Sequence, residues 1–102
     1  MSVCVFTGFI DEDLVLDEED NVSVIEFTMV CYEYRKSKAT GEKTRIATYV
    51  RCEAWHTGAD TIHKLGKRGS KLTVYTTARN VNDSTTDVIF RINKFDFLDS
   101  GR

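Results

Sequence analysis

Hydrophobic and polar residues alternate along most of the chain, with the period of two that marks half-buried strands. Over residues 3–9, Val3, Val5 and Thr7 fall on one side and Cys4, Phe6 and Gly8 on the other. Residues 22–34 form a long run rich in strand formers. Ile25, Phe27, Met29 and Cys31 share one parity there; Val24, Glu26, Thr28, Val30, Tyr32 and Tyr34 share the other. Over 45–55, Ile46, Thr48, Val50, Cys52 and Ala54 make a mainly apolar row against Tyr49, Arg51, Glu53 and Trp55. Alternation resumes over 72–79, where Leu72, Val74, Thr76 and Ala78 oppose Lys71, Thr73, Tyr75, Thr77 and Arg79. A last strand is expected over 87–98, bent near Asn93-Lys94.

Polar segments separate these runs. Residues 11–20 hold seven acids around Leu14, Val15 and Leu16, and read as a short strand or hairpin limb with an acidic loop ending in the Asp20-Asn21 turn signal. Residues 36–43 form a polar hairpin loop containing Gly41, and residues 80–86 a short turn. The helical candidate is 57–68. Thr57 or Asp60 would cap it, Ile62 and Leu65 would make its apolar stripe, and Gly66 or Gly69 would end it. Five strands with a short helix between the third and fourth predict an all-β fold. Closing such a sheet into a barrel hides its edges, and this order of elements is the pattern of a five-stranded OB-fold barrel. With 102 residues, one such domain accounts for the whole of 1–102.

Composition is ordinary for a globular protein, at 41% hydrophobic and 29% charged. No stretch approaches the ~20 apolar residues of a membrane helix, and the MSVCVFTGF start lacks the basic region of a secretory signal. Cys4, Cys31 and Cys52 are an odd number without a CxxC pair, which points to a reducing compartment rather than a disulfide scaffold or zinc site. No metal or cofactor is expected: His56 and His63 have no partner in sequence, and the 11–20 segment lacks EF-hand spacing. No nucleophile-and-base arrangement stands out, so the chain does not read as an enzyme.

The net charge of −2 is evenly balanced only in total. Residues 1–34 carry −9, residues 35–79 carry +8, and the remainder −1. A one-sign field over half a small protein steers a polyanion even when the total is near zero; a charge clustering with no partner is the competing reading. The third-strand row Tyr49, Arg51, Glu53, Trp55 gives the field a specific use. Alternate strand residues stand about 6.5–7 Å apart on one face, so two rings with a guanidinium between them form a platform for unpaired bases and a phosphate. Cover for a barrel end or a subunit interface is the alternative. Tyr32, Tyr34 and Tyr75, with the cations of the 36–45 loop, extend the same surface. The acidic segment 11–20 reads as a solvated loop; competition with a polyanion for the basic groove is its alternative use.

On these residues the chain resembles bacterial- or phage-type single-stranded DNA-binding proteins over 3–98. The resemblance rests on Phe6-Thr7-Gly8-Phe9-Ile10 in the opening strand, Phe27-Thr28-Met29 in the second, Lys38-Ala39-Thr40-Gly41-Glu42 in the hairpin loop, Tyr49-x-Arg51 and Trp55 in the third strand, and Lys67-Arg68-Gly69-Ser70 before the fourth. It implies an OB-fold and a homo-oligomer, tetramer or dimer, acting in DNA replication, recombination or repair in the cytoplasm of a bacterial or phage-infected cell, associated with the nucleoid. It also implies stacking by Tyr49 and Trp55, and phosphate contacts from Arg51, Lys36, Lys38, Lys43, Arg45, Lys71 and Arg79. Arg35 falls where the family commonly stacks a Trp, with Tyr34 beside it. The 80–86 loop is shorter than the family's and lacks its aromatic, and the family's acidic, hydrophobic tail tip has no counterpart in Asp-Ser-Gly-Arg. Recruitment of partners through such a tail is therefore in question. The alternatives are an RNA-binding or primosomal OB protein, and a β-barrel that serves only protein interaction.

Overall fold

A computed structural model describes residues 3–98. The strands are β1 (Val3–Ile10), β2 (Leu16–Glu19), β3 (Val22–Lys36), β4 (Lys43–Trp55), β5 (Lys71–Asn80) and β6 (Val88–Phe97), with helix α1 (His56–Leu65) between β4 and β5. Hydrogen-bonded neighbours run β1-β5-β6-β4-β3, and a further β1–β3 pairing closes the ring. Among the described residues only the β4–β6 contact is parallel, through Cys52↔Phe90 and Glu53↔Arg91. The result is the expected five-stranded OB barrel, with β2 added as a flap along β3.

The alternation read from the sequence becomes an inside and an outside. Ile25, Phe27, Met29, Val50, Cys52, Ala54, Leu72 and Val74 are buried and fill the barrel. Helix α1 closes one end with Ala59 and Ile62, which are also buried. Leu65, expected in its apolar stripe, is 61% exposed. The helix spans fewer residues than expected because Gly66 ends it, donating its N–H to the Ile62 carbonyl. Neither Thr57 nor Asp60 caps it; Trp55 occupies the cap position and makes no side-chain cap bond. Among the described residues no helix is long and apolar enough to cross a membrane.

Closure depends on Gly8. β1 pairs with β3 through Phe9↔Val30 and Ile10↔Met29. A Cβ on Gly8 would run into the Val30 carbonyl oxygen and sit 2.9 Å from Cys31 Sγ, so the strands meet only because this residue has no side chain. The acidic segment splits into two parts. Residues 16–19 pair with β3 through a two-residue hairpin in which Asp20 (φ 50°) and Asn21 (φ 65°) are both left-handed, as a type I′ turn requires. Residues 11–15 run beside β3: the Asp11 N–H donates to the Thr28 carbonyl, Glu12 accepts the Thr28 N–H, and Leu14 packs against the core. The expected bend in β6 is a register shift between Tyr75 and Thr76, opposite Lys94 and Ile92, which leaves Asn93 as the extra residue.

Candidate nucleic-acid interface

The antiparallel ladder of β3 and β4 sets the geometry of the face. On its outer side the opposed pairs are Val24↔Trp55, Glu26↔Glu53, Thr28↔Arg51, Val30↔Tyr49, Tyr32↔Ala47, Tyr34↔Arg45 and Lys36↔Lys43. Beyond Cys31 and Thr48 the two strands leave the barrel as an arm whose residues are almost all exposed. The face therefore has a projecting half and a half lying on the barrel, and the two differ in how their charges are matched.

On the arm, Tyr34 is 65% exposed and Tyr49, at its base, is 61% exposed. The Arg45 guanidinium stacks 4.2 Å from the Tyr32 ring centroid, a cation–π contact that holds the Arg in place without neutralising it. Lys36 and Lys43 face each other at the end of the ladder. Lys38 follows in a turn closed by Ser37 N–H to the Glu42 carbonyl and Gly41 N–H to the Ser37 carbonyl. Among the described residues Lys36, Lys38 and Lys43 enter no ion pair. Arg35 has the opposite parity and points to the other side of the arm, where it pairs with Glu33 at 3.6 Å. Such an exposed pair contributes little.

The barrel half is internally compensated. Arg51 Nη1 donates to Glu12 Oε1 at 2.6 Å and to Thr28 Oγ1 at 3.0 Å, and Nη2 reaches Glu26 Oε1 at 3.3 Å. Glu12 Oε1 also accepts the Thr28 backbone N–H at 2.8 Å. Burial pushes the Glu12 carboxyl up, but the Thr28 N–H and hydroxyl and the Arg51 charge outweigh it and hold it below the ordinary range. One step along β4, Glu53 is buried, with 2% exposure. It accepts from Arg79 Nε at 2.5 Å and Nη2 at 2.9 Å, a bidentate fork, and from Arg91 Nε at 3.3 Å. Burial raises its pKa; the Arg79 bonds and charge, the Trp55 N–H and Arg91 lower it further than burial raises it, so the net shift is down. The Trp55 Nε1 is itself buried and closes no well-formed hydrogen bond.

Trp55 lies outside the barrel core, partly exposed, with the Arg91 guanidinium 5.5 Å from its ring centroid. Clefts open on both sides of it. One of about 410 Å³ is lined by Trp55, His56, Arg91, Ile92 and Asn93; the other, of about 290 Å³, includes Glu26, Glu53 and Arg79. The ends of β5 reach the face through neighbouring strands. Lys71 Nζ sits 5.8 Å from the Phe9 ring on β1, and Arg79 reaches Glu53 on β4. Tyr75, in the middle of β5, does not reach it. It pairs with Val5 in register and stacks under Lys94 at 5.0 Å, on the wall formed by β1, β5 and β6.

The face thus collects Tyr34, Lys36, Lys43, Arg45, Tyr49, Arg51 and Trp55 on one side of the β3–β4 ladder, with Lys38 at the tip, Lys71 and Arg79 at the flanks, and Arg35 and Tyr75 elsewhere. Sequence reasoning passed over Phe9, Glu12 and Arg91. Phe9 shares the outward parity of Val3, Val5 and Thr7, and that parity was the available signal.

No protein-family model matches the sequence, and no curated protein matches it. Solved structures do match in shape. The small single-stranded DNA-binding protein of Streptomyces coelicolor aligns with TM-score 0.74 and 12% identity over 95% of this chain and 92% of that one. The Plasmodium falciparum single-stranded DNA-binding protein, solved with single-stranded DNA, aligns with TM-score 0.73 and 20% identity over 97% and 96%. The protein PriB of Ralstonia solanacearum aligns with TM-score 0.72 and 9% identity over 96% and 99%. The chain shares the OB-fold of single-stranded DNA-binding proteins. At these identities it is the backbone fold that is shared, and the side chains of the face are this chain's own.

Proposed function

We propose that the protein binds single-stranded DNA without sequence preference, stacking bases on Tyr49, Trp55 and Tyr34 and meeting phosphates with Lys36, Lys38, Lys43 and Arg45. The observation that carries this reading is the outer β3–β4 ladder. It presents exposed rings at Tyr34 and Tyr49 in line with a pair of opposed lysines that no acid neutralises. Rings accept any base, and the cations follow a backbone of any sequence. Arg51, Arg79 and Lys71 extend the track; Arg51 and Arg79 engage phosphate only by exchanging a carboxylate for it. The competition expected of the acidic segment falls to Glu12 on Arg51, and to Asp13, which lies 3.3 Å from Arg68. Work on exposed single strands in replication, recombination or repair, in a cytoplasmic setting, follows from that binding. Nothing in the site calls for catalysis.

A homo-oligomer is part of the proposal. β1 meets β3 only at Phe9 and Ile10, and Val3 and Val5 are 65% and 54% exposed. A strand with an open edge and bare valines is a template for pairing with a second copy. A monomeric mass in solution at micromolar concentration removes this part.

The binding test is fluorescence titration with oligo-dT at two salt concentrations. Trp55 is the sole tryptophan, so stacking there quenches the signal, and affinity falls with salt as counterions are released. Tyr49→Ala and Trp55→Ala each weaken binding by about 1–3 kcal/mol. Absence of binding at low salt overturns the reading in favour of a protein-interaction barrel. Stronger competition by poly-U than by oligo-dT reassigns the ligand to RNA.

A further inference from the structure

Besides the β3–β4 ladder, a second aromatic surface opens where β1 closes onto β3. The groove has a volume of about 410 Å³, and its walls include Phe9, Val30, Tyr32, Tyr34, Arg45 and Arg68. That volume lies in the range of ordinary small-ligand clefts. We propose that this groove is a base-binding subsite: an unpaired nucleobase stacks against Phe9 and Tyr32, and its flanking phosphates meet Arg45, Arg68 and Lys71. The proposal rests on the single-strand reading above and adds to it a second branch of the path.

Three features select this occupant. The walls carry three flat rings, Phe9, Tyr32 and Tyr34, beside the aliphatic Ile10 and Val30; Phe9 and Tyr32 lie 6.0 Å apart, tilted by 54°, an open wedge that takes a planar ring from one side. The rim is cationic. Arg45 stacks on Tyr32 at 4.2 Å, Lys71 lies 5.8 Å from Phe9, and Arg68 closes the far wall. Asp11 is the acid among the lining residues; Arg68 donates to the Asp11 backbone carbonyl at 3.4 Å and to Asp13 Oδ1 at 3.3 Å, so it meets a phosphate by exchanging the exposed Asp13 carboxylate for it. An apolar peptide gains nothing from such a rim, whereas a base with a phosphate on each side uses both its rings and its charges. Finally, the groove is continuous with the ladder. Phe9, Val30 and Tyr49 stand in one row across β1, β3 and β4, so Phe9 and Tyr49 are about 10 Å apart at the usual interstrand spacing. From Tyr49 the path towards Trp55 runs past Glu26 and Glu53; the path across Val30 runs towards cations.

Photo-crosslinking of the unmodified full chain with an oligo-dT carrying 5-iodouracil, followed by peptide mapping, tests this directly. Crosslinks at Phe9 or Tyr32 are expected. Tyr32→Ala weakens oligo-dT binding about fivefold or more, the lower end of one stacked base. Tyr32→Phe restores it, because the ring and not the hydroxyl does the stacking. Phe9→Leu, which keeps the apolar bulk and loses the flat ring, shows the same direction of change. Abasic sites across the oligonucleotide abolish the difference between wild type and Tyr32→Ala. Crosslinks confined to Tyr49 and Trp55, with Tyr32→Ala and Phe9→Leu binding normally, overturn the subsite and leave single-strand binding intact. A Tyr32→Ala defect that persists on the abasic oligonucleotide also overturns stacking in the groove. No binding of oligo-dT by the wild type overturns the subsite and the parent reading together.

Discussion

Under the proposed reading Arg51 meets a phosphate, and Glu12 already holds its Nη1 at 2.6 Å; Glu12→Gln is therefore the most informative single change. The glutamine keeps an oxygen for the Thr28 N–H and removes only the charge. Arg51 and Glu12 side chains are 42% and 37% exposed, so water screens the pair and its worth falls in the range of about 0.2–1 kcal/mol measured for exposed ion pairs. If binding must displace that carboxylate, removing its charge raises affinity for oligo-dT by about 1.5- to fivefold. Arg51 also becomes one further phosphate contact, which steepens the dependence of log affinity on log salt by about 0.7.

Glu12 carries a pH signature as well. Its carboxyl is held below the ordinary value near 4.5 by Thr28 and Arg51 against the opposing effect of burial. Displacement by DNA lets the pKa return upward, so binding takes up a proton when the pH lies between the lowered value and 4.5. Wild-type affinity rises as the pH drops through that window, and the Glu12→Gln variant lacks this component. The assay is fluorescence anisotropy of labelled oligo-dT across salt and pH for both proteins. Equal or weaker binding by Glu12→Gln, with the same salt slope, refutes competition at Arg51.

Other expectations follow from the same contacts. Glu53→Gln lowers stability at pH 7 by about 1–3 kcal/mol, at the low end because the Arg79 and Arg91 side chains it leaves behind are 41% and 47% exposed. The wild-type Glu53 pKa lies below 4.5 when folded, so its contribution is complete above that pH and is lost as the pH falls through the folded value; urea titrations from pH 3 to 7 should show a flatter profile for the variant. Gly8→Ala places a Cβ against the Val30 carbonyl and costs about 1–3 kcal/mol; an unchanged urea midpoint would show that the β1–β3 closure does not need the close approach. Lys36→Gln with Lys43→Gln reduces the salt slope by about 1.4 if each lysine meets one phosphate, and an unchanged slope removes the arm from the backbone track.

The barrel was legible because one face of each strand is buried. Parity alone separates Phe27, Met29, Val50 and Cys52, which are buried, from Thr28, Tyr49 and Arg51, which are not. Asp20-Asn21 announced its hairpin because a type I′ turn needs two left-handed residues, and these types tolerate it. The state of the charges was not legible. Glu53 has outward parity, as expected, yet it is buried because Arg79 and Arg91 fold over it from 26 and 38 residues away. Arg51 is engaged by an acid 39 residues upstream. A charge run gives sign and position along the chain, but pairing between strands is decided by barrel closure. The same closure brings Phe9 beside Tyr32, two rings that no local spacing connects.

This pairing changes what the basic segment means. Over 35–79 the sequence carries +8, but Arg51 and Arg79 on the barrel face already hold carboxylates. The charge open to a polyanion is concentrated on the arm, at Lys36, Lys38, Lys43 and Arg45, where the strands have left the acidic surface behind. Exchange of an internal carboxylate for a phosphate releases few counterions, because the freed carboxylate stays beside the phosphate and the local negative charge still holds a cation; a new contact on the arm releases its full share. The salt slope therefore counts arm contacts, while the affinity at fixed salt also depends on how firmly Glu12, Glu26 and Glu53 hold their arginines. Two variants of equal charge, one altered on the arm and one on the barrel, need not behave alike: Lys43→Gln should lower the slope, and Arg79→Gln should chiefly lower stability.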